Sequence, residues 1–153
     1  MTFRAKIDQL LERLLMLIMA IMTLNVLWQV FTRFVLGSPS SFTDELARYL
    51  MIWIGILGAA YVAGKNQHVA INLLPSKLSP KAQRKLYHFV AILVILFALL
   101  AFVVGGCRLV YISYLLGQQS PALQIPLAFV YLVIPVSGVL IMYYKIADLL
   151  KRS

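Results

Sequence analysis

Charged residues are scarce in this sequence, and acidic residues are the scarcest of them. Of the 153 residues, 14 are Lys or Arg, five are Asp or Glu, and 62% are hydrophobic, which gives a mean hydropathy of +0.90. A soluble domain of this size cannot bury so much apolar surface, so we expect lipid to surround part of the chain. The polar stretches are too short to form a soluble catalytic domain.

Cysteine and histidine are also rare, and their scarcity excludes several kinds of chemistry. The single cysteine, Cys107, excludes an intrachain disulfide and a cysteine-based metal cluster, and its neighbours predict a buried, inert thiol. The two histidines, His68 and His88, give little support for a catalytic triad or a haem-anchoring helix pair. A Walker A sequence is absent too. We therefore predict a protein that is not an enzyme and binds no cofactor or metal.

Four apolar segments are long enough to cross a bilayer, at about 14–36, 44–64, 86–110 and 126–145. They predict an all-α integral membrane protein with one four-helix domain over 1–153. Helical spacing of the apolar residues in 1–13 predicts a short amphipathic helix at the membrane surface. A signal peptide is the alternative for this end, but no small-residue cleavage site follows the long apolar run.

Basic residues are divided unequally between the two sides of the predicted bundle. Eleven of the 14 fall at the chain ends or in and just after the middle loop, whereas Arg33, Arg48 and Arg108 fall on the other side. The positive-inside rule therefore places both termini in the cytoplasm. This distribution explains the net charge of +9 without a nucleic-acid partner.

The second span is unusually short. Arg48 and Lys65 enclose 16 uncharged residues, which extend about 24 Å at ~1.5 Å per residue, less than the roughly 30 Å of a hydrocarbon core. Either both charges reach the interfaces along their flexible side chains or a partner shields the helix from lipid.

Small residues recur along this second span. Gly55, Ala59 and Ala63 are spaced by four, which favours close approach of another helix. Trp53 lies within the span and not at an interface, so we expect it to pack against protein. Both features predict that the helix is covered.

The first span carries a polar stripe. Asn25, Gln29 and Arg33 are spaced by four and share one helix face. We favour hydrogen bonds between helices or contact with another subunit over a path for a solute, because isolated amides are poor ion relays.

The start of the second span concentrates charge. Ser41 and Asp44 have the spacing of a capping box, and Asp44 can pair with Arg48 one turn later. Glu45 lies beside them and Arg33 precedes the turn. These acids either cap the helix alone or form, with the two arginines, a docking cluster on the outer side.

Prolines mark the later helices. Pro80 predicts the first turn of the third helix, and Pro126 suits the first turn of the fourth span after an uncharged turn at 117–121. Pro135 should kink the fourth span and free a carbonyl that a neighbour must satisfy.

The stretch FTDELARYLMIWIGILGAAYVAGKNQHVAINLLP, residues 42–75, resembles the small membrane subunit of tripartite ATP-independent periplasmic (TRAP) transporters, the DctQ-type family. The fourth span, IPLAFVYLVIPVSG, resembles it as well, and the four-span layout matches over the whole chain. The positions that carry the resemblance are Arg33, Glu45, Arg48, Trp53, Gly58, Ala59, Ala60, His68, Pro126, Tyr131, Pro135 and Gly138. Two residues depart from the pattern: Asn72 stands where an acid is usual, and Asp44 stands where a second Glu is common.

The resemblance implies a small scaffold subunit in a bacterial inner membrane. It would form a heterodimer with a large TRAP membrane subunit and help dock a periplasmic substrate-binding protein for sodium-coupled uptake of an organic anion of the carboxylate or sialic acid class. The docking residues would be Arg33, Asp44, Glu45 and Arg48. The residues packed on the large subunit would be Asn25, Gln29, Trp53, Gly55, Ala59 and Ala63, and His68 would fix the cytoplasmic turn.

Two other functions stay open at this point. A membrane anchor of a redox enzyme would bring a haem or a flavoprotein or iron–sulfur partner. A stand-alone four-helix carrier would need an acid buried in a span, whereas Asp44 and Glu45 lie at a helix mouth.

Overall fold

The computed structural model describes residues 3–37, 40–65 and 80–152, and nearly all of these are helical. The elements are α1 (Phe3–Phe34), α2 (Ser41–Gly64), α3 (Pro80–Phe97), a π-helical segment (Ala98–Gly105), α4 (Gly106–Leu115), α5 (Leu127–Tyr131) and α6 (Val133–Arg152). In this described part, four stretches are long and apolar enough to span a membrane: α1, α2, the continuous run from α3 to α4, and α5 with α6. The predicted all-α, four-span class is confirmed.

Helix α1 is longer than expected. Its 32 residues extend about 48 Å at ~1.5 Å per residue, well beyond a hydrocarbon core. No break separates 3–13 from the first span, so the predicted amphipathic helix is the first part of α1 and not an element of its own. Leu11 of this segment is 4% exposed and is buried within the bundle, as is Ile18 two turns later in the span, which is 6% exposed.

Two apolar clusters hold the bundle together. The first joins α1, α2 and the fourth span, and the second joins α2, the π-helical segment and α6. The first contains Leu11, Ile18, Leu57, Val133 and Tyr144. The second contains Ala60, Ala63, Ala98 and Ile141. Three of the four side chains in the second cluster are alanines, so the helices there approach closely.

The third and fourth spans also meet at close range. A Cβ atom added to Gly138 would lie 2.6 Å from the Cβ of Phe102 and 3.0 Å from Cγ2 of Val103, both in the π-helical segment. Glycine is therefore required at this contact. Cys107 lies just after the segment and is exposed, so the prediction of a buried thiol was wrong. The neighbouring Gly106 lies against Ile134 and Pro135 of the fourth span.

The fourth span is interrupted close to the proline that predicts a kink. The helix is interrupted at Leu132, between α5 and α6, three residues before Pro135. Proline has no N–H to donate to the carbonyl four residues earlier. Beside this interruption, the indole N–H of Trp53 donates to the backbone carbonyl of Val130 at 3.1 Å, so a side chain from α2 supports the broken helix.

The bundle has two ends that differ in chemistry. At the terminal end, defined by Arg4, Gly64 and Asp148, the Arg4 guanidinium pairs with Asp148 and donates to the last carbonyl of α2 at Gly64. Tyr144 donates its hydroxyl to Asp8 of α1. These contacts fasten α1 to α2 and α6. At the opposite end, the loop end, lie the turn after α1 and the loop 117–126.

Candidate interaction surface at the loop end

Helix α2 begins one residue earlier than its capping pattern predicts. Ser40 is the N-cap residue and makes no side-chain capping hydrogen bond, and Ser41 is the first helical residue. The predicted capping box of Ser41 and Asp44 was therefore wrong. Thr43 instead donates its hydroxyl to the Ser40 carbonyl at 2.8 Å, and the Asp44 carboxylate is left for other partners.

Asp44 connects the first two spans at the surface. Its carboxylate accepts from Arg48 at 3.3 Å, as predicted, and from the side-chain amide of Gln29 at 3.3 Å. The Arg48 and Asp44 side chains are 70% and 62% exposed. A pair this exposed contributes little to folding, typically about 0–1 kcal/mol, so both charges are available to a partner.

Asn25 has a different role from the rest of its stripe. It is buried, and its side-chain amide donates to the backbone carbonyl of Thr43 at 2.7 Å. This bond joins α1 to the first turn of α2 and is the interhelical hydrogen bond that the polar stripe predicts. Asn25 is thus engaged inside the chain.

A cleft of about 610 Å³ opens between the end of α1 and the start of α2. Gln29, Arg33, Phe34 and Asp44 are among its lining residues. The Arg33 guanidinium lies 5.9 Å from the centroid of the Phe34 ring and, within the described part of the chain, forms no salt bridge. Among the described residues, the cleft therefore presents a cation with no acidic partner.

Glu45 does not project into this cleft. Its carboxylate accepts from the Tyr49 hydroxyl at 2.7 Å and from the backbone N–H groups of Ala122 and Leu123 at 2.7 and 3.1 Å. The sequence offered one signal for this difference: adjacent helical residues point about 100° apart, so Asp44 and Glu45 face different surroundings. The two backbone donors to Glu45, Ala122 and Leu123, lie 77 and 78 residues further along the chain and could not be predicted from the sequence.

The small-residue stripe of α2 is divided between two environments. Gly55 and Ala59 are exposed, and a Cβ atom on Gly55 would meet nothing within 4 Å. Met51 and Val62 are exposed on either side of them, at 59% and 40%. Ala63, by contrast, is buried in the second apolar cluster.

Two predicted site residues remain, Trp53 and His68. The Trp53 indole donates to the fourth span within this chain, and His68 lies outside the described residues. The structure thus brings together Gln29, Arg33, Asp44 and Arg48 at the loop end, and it directs Glu45 towards the loop 117–126. Contact with another subunit stays a prediction for all of them.

The terminal-end network of Arg4, Asp8, Tyr144 and Asp148 was missed by sequence reasoning. The amphipathic pattern of 1–13 predicts only a polar helix face for Arg4 and Asp8. A usable signal was present: three of the five acids, Asp8, Glu12 and Asp148, lie at this otherwise basic end. Their partners on α6 follow only from the packing of the helices.

The fold defines a multi-pass membrane protein whose exposed charges lie at the ends of its spans. Residues 7–153 match the family model of tripartite ATP-independent periplasmic transporters, DctQ component. The chain therefore belongs to the DctQ family and is a TRAP transporter small permease subunit, a multi-pass protein of the bacterial inner membrane. This membership confirms the resemblance drawn from the sequence and excludes an enzyme.

Three similar proteins illustrate the family. A protein of Haemophilus influenzae named as a TRAP transporter small permease is 30% identical over 135 residues, 88% of this chain and 82% of its own. The ectoine TRAP transporter small permease protein TeaB of Halomonas elongata is 28% identical over 157 residues, 96% and 80% of the two chains. The sialic acid TRAP transporter permease protein SiaT of Haemophilus influenzae is 33% identical over 66 residues, 43% of this chain but 11% of that longer protein.

Proposed function

We propose that this subunit holds the large membrane subunit of its transporter along α2 and docks a soluble substrate-binding protein at the loop end. The complex of the three would take up an organic anion in a process driven by a sodium gradient. The observation that carries the proposal is the exposed face of α2, where Gly55 and Ala59 leave room for another helix.

The α2 face has the composition of a helix–helix contact in a membrane. Lipid chains are as apolar as the protein, so helices associate there mainly through close packing, which small residues allow. Exposed Gly55 and Ala59 provide that approach, and Met51 and Val62 flank it. The short uncharged length of α2 gives a second reason for a partner, since the partner would shield Arg48 and Lys65 from lipid.

The similarity to SiaT supports the same partnership. That permease contains a segment like this chain within a much longer sequence. In SiaT the similar segment and the rest of the permease are one chain. We infer that this separate small subunit packs non-covalently beside its large subunit.

The cleft at the loop end suits a charged protein partner. Arg33 is exposed and forms no salt bridge with the described residues, and the exposed pair of Asp44 and Arg48 lies next to it. Such exposed charges steer and orient a soluble protein without adding much affinity. A periplasmic partner fits this position if the basic terminal end is cytoplasmic, as the positive-inside rule predicts.

The names of two relatives support a substrate class. Sialic acid and ectoine, which appear in the names of two similar proteins, both carry a carboxylate group. We therefore propose a small carboxylate-bearing solute for this transporter as well, bound by its partners and not by this chain.

Purification from the native membrane, followed by reconstitution, tests the proposal. We expect a large multi-span protein to co-purify in equal amount, and uptake into vesicles to require both membrane subunits, the binding protein and a sodium gradient. Recovery of this chain alone, or transport by this chain alone in vesicles, would contradict it. Uptake that persists without a sodium gradient would remove the proposed coupling.

A further inference from the structure

The loop 117–126, between α4 and α5, contains no charged residue and is closed by backbone hydrogen bonds. Leu127 donates its N–H to the Gln118 carbonyl at 3.0 Å, and Ser120 donates to the Ile125 carbonyl at 3.0 Å. The two sides of the loop are thus tied to each other. A loop of this length with paired backbone groups has a defined shape before any partner binds.

Helix α2 supports the same loop from the side. One carboxylate oxygen of Glu45 accepts from the backbone N–H groups of both Ala122 and Leu123, and the other accepts from Tyr49. Consecutive N–H groups that converge on one oxygen form the concave arrangement in which backbone binds anions. Hydrogen bonds to an ionised group are the stronger kind, so Glu45 anchors the loop to α2.

One residue of the loop has a constrained backbone. Gln124 has φ of 53°, the left-handed region that residues other than glycine rarely adopt. Its N–H donates to the carbonyl of Ser120, which is 1% exposed. A strained conformation of this kind persists only where the surrounding contacts fix it.

The outward side of the loop is polar but uncharged. Gln118, Gln119 and Gln124 are exposed, and Pro121 and Ile125 are exposed among them. Three amide side chains on a fixed backbone can donate and accept hydrogen bonds without the cost of ordering the loop.

We propose that the loop 117–126, held in place by Glu45, is a preformed docking surface for the soluble substrate-binding protein, which its glutamine amides recognise. The inference rests on the proposed function and assigns to the binding protein a second contact, separate from the Arg33 cleft. The two contacts are neighbours, because the consecutive residues Asp44 and Glu45 line the cleft and anchor the loop respectively.

The chemistry of the loop favours a soluble partner over the large membrane subunit. The loop follows the last turn of α4 at the loop end, and its exposed amides would lose water if a membrane helix covered them. A soluble protein can pair them with polar groups or through water. Because amides carry no charge, this contact should be insensitive to salt, whereas the Arg33 contact should weaken as salt rises.

The test is the affinity of the substrate-binding protein for the complex of both membrane subunits in nanodiscs, measured at low and high salt. The variant carries Gln118→Ala and Gln119→Ala together, and the control carries Gln9→Ala, an exposed glutamine at the terminal end. We expect affinity about fivefold weaker in the double variant at both salt concentrations, from the loss of hydrogen-bonding groups. The control should match the wild type.

A second variant tests the anchor. Glu45→Gln keeps the shape of the side chain but not its charge, so we expect faster hydrogen exchange at Ala122 and Leu123 and weaker docking, with the large subunit still bound. Unchanged affinity in the glutamine double variant would overturn the proposal for the loop. The proposed function would stand if Arg33→Gln still weakened docking. Loss of the large subunit in that double variant would assign the loop to the membrane partner and overturn it too. Absence of docking to the wild-type complex would overturn both.

Discussion

The Glu45 carboxylate accepts a hydrogen bond of 2.7 Å from the backbone N–H of Ala122, 77 residues further along the chain. This bond joins the amino-terminal part of the second span to the loop between the third and fourth spans. It gives one acid of an adjacent pair an internal role, whereas its neighbour Asp44 stays at the surface with Arg48. The loop end is therefore one connected structure and not a set of independent turns.

Replacing Glu45 should loosen this connection. Glu45→Ala removes the carboxylate that accepts from the Ala122 and Leu123 N–H groups. We therefore expect a melting temperature in detergent lower by several degrees, although Leu123 keeps a second acceptor in the Ser120 hydroxyl at 3.3 Å. Amide exchange should accelerate at 117–126. Asp44→Ala, which removes only an exposed pair, should change neither quantity measurably; equal effects of the two substitutions would show that Glu45 does not anchor the loop.

Gly64 should be intolerant of a side chain. A Cβ atom at this position would lie 2.8–2.9 Å from three ring atoms of Tyr144, so we expect Gly64→Ala to destabilise the subunit by about 1–3 kcal/mol. Thermal unfolding in detergent measures the effect. Gly58→Ala is the matched control on the same helix, since its Cβ would meet nothing within 4 Å, and it should be neutral or slightly stabilising. A second substitution, Tyr144→Ala, should make Gly64→Ala harmless if the clash is the cause.

The exposed face of α2 should tolerate bulk in the isolated subunit but not in the complex. Gly55→Leu with Ala59→Leu fills space that is open in this chain, so we expect normal insertion and normal unfolding of the subunit alone. Co-purification of the large subunit should be lost. Ala101→Leu, at an exposed alanine of the third span, is the control and should retain it. Full retention in the α2 variant would exclude this face as the contact.

Arg33 should contribute a salt-dependent part of docking. Its guanidinium forms no salt bridge within the described residues, so Arg33→Gln removes a charge without disturbing an internal pair. We expect binding of the substrate-binding protein to weaken about tenfold at low salt and to depend less on salt concentration. Arg13→Gln alters an exposed arginine near the other end of the same helix. If that control weakens docking equally, the effect reflects net charge and not the cleft.

The membrane-spanning architecture could be predicted because it depends on composition over long windows. Apolar runs of about 20 residues have few stable alternatives to a transmembrane helix. Pro80 also gave a correct local prediction, the start of the third helix, because proline constrains its own backbone wherever it lies. The ordered set of residues from Arg33 to Gly138 was also enough to identify the family, which residues 7–153 then matched.

Side-chain partners could not be predicted in the same way. Ser41 met the pattern of a capping box, yet the helix begins with Ser40 as its N-cap, since the position of a helix end depends on contacts such as that of Asn25 with Thr43. The small-residue stripe predicted close packing correctly but not which residues pack internally. Ala63 does so, whereas Gly55 and Ala59 do not.

The sequence by itself therefore determined the four spans, the concentration of charge at their ends and the family, because each depends on local composition or on residue order. Tertiary structure alone decided that Asp44 faces a cleft while Glu45 holds a distant loop, and that Arg4 pairs with Asp148 at the other end. The physical reason is that hydrogen bonds and ion pairs act over about 3 Å. Their partners are fixed only when the helices have packed, and helix packing brings together residues from opposite ends of the chain.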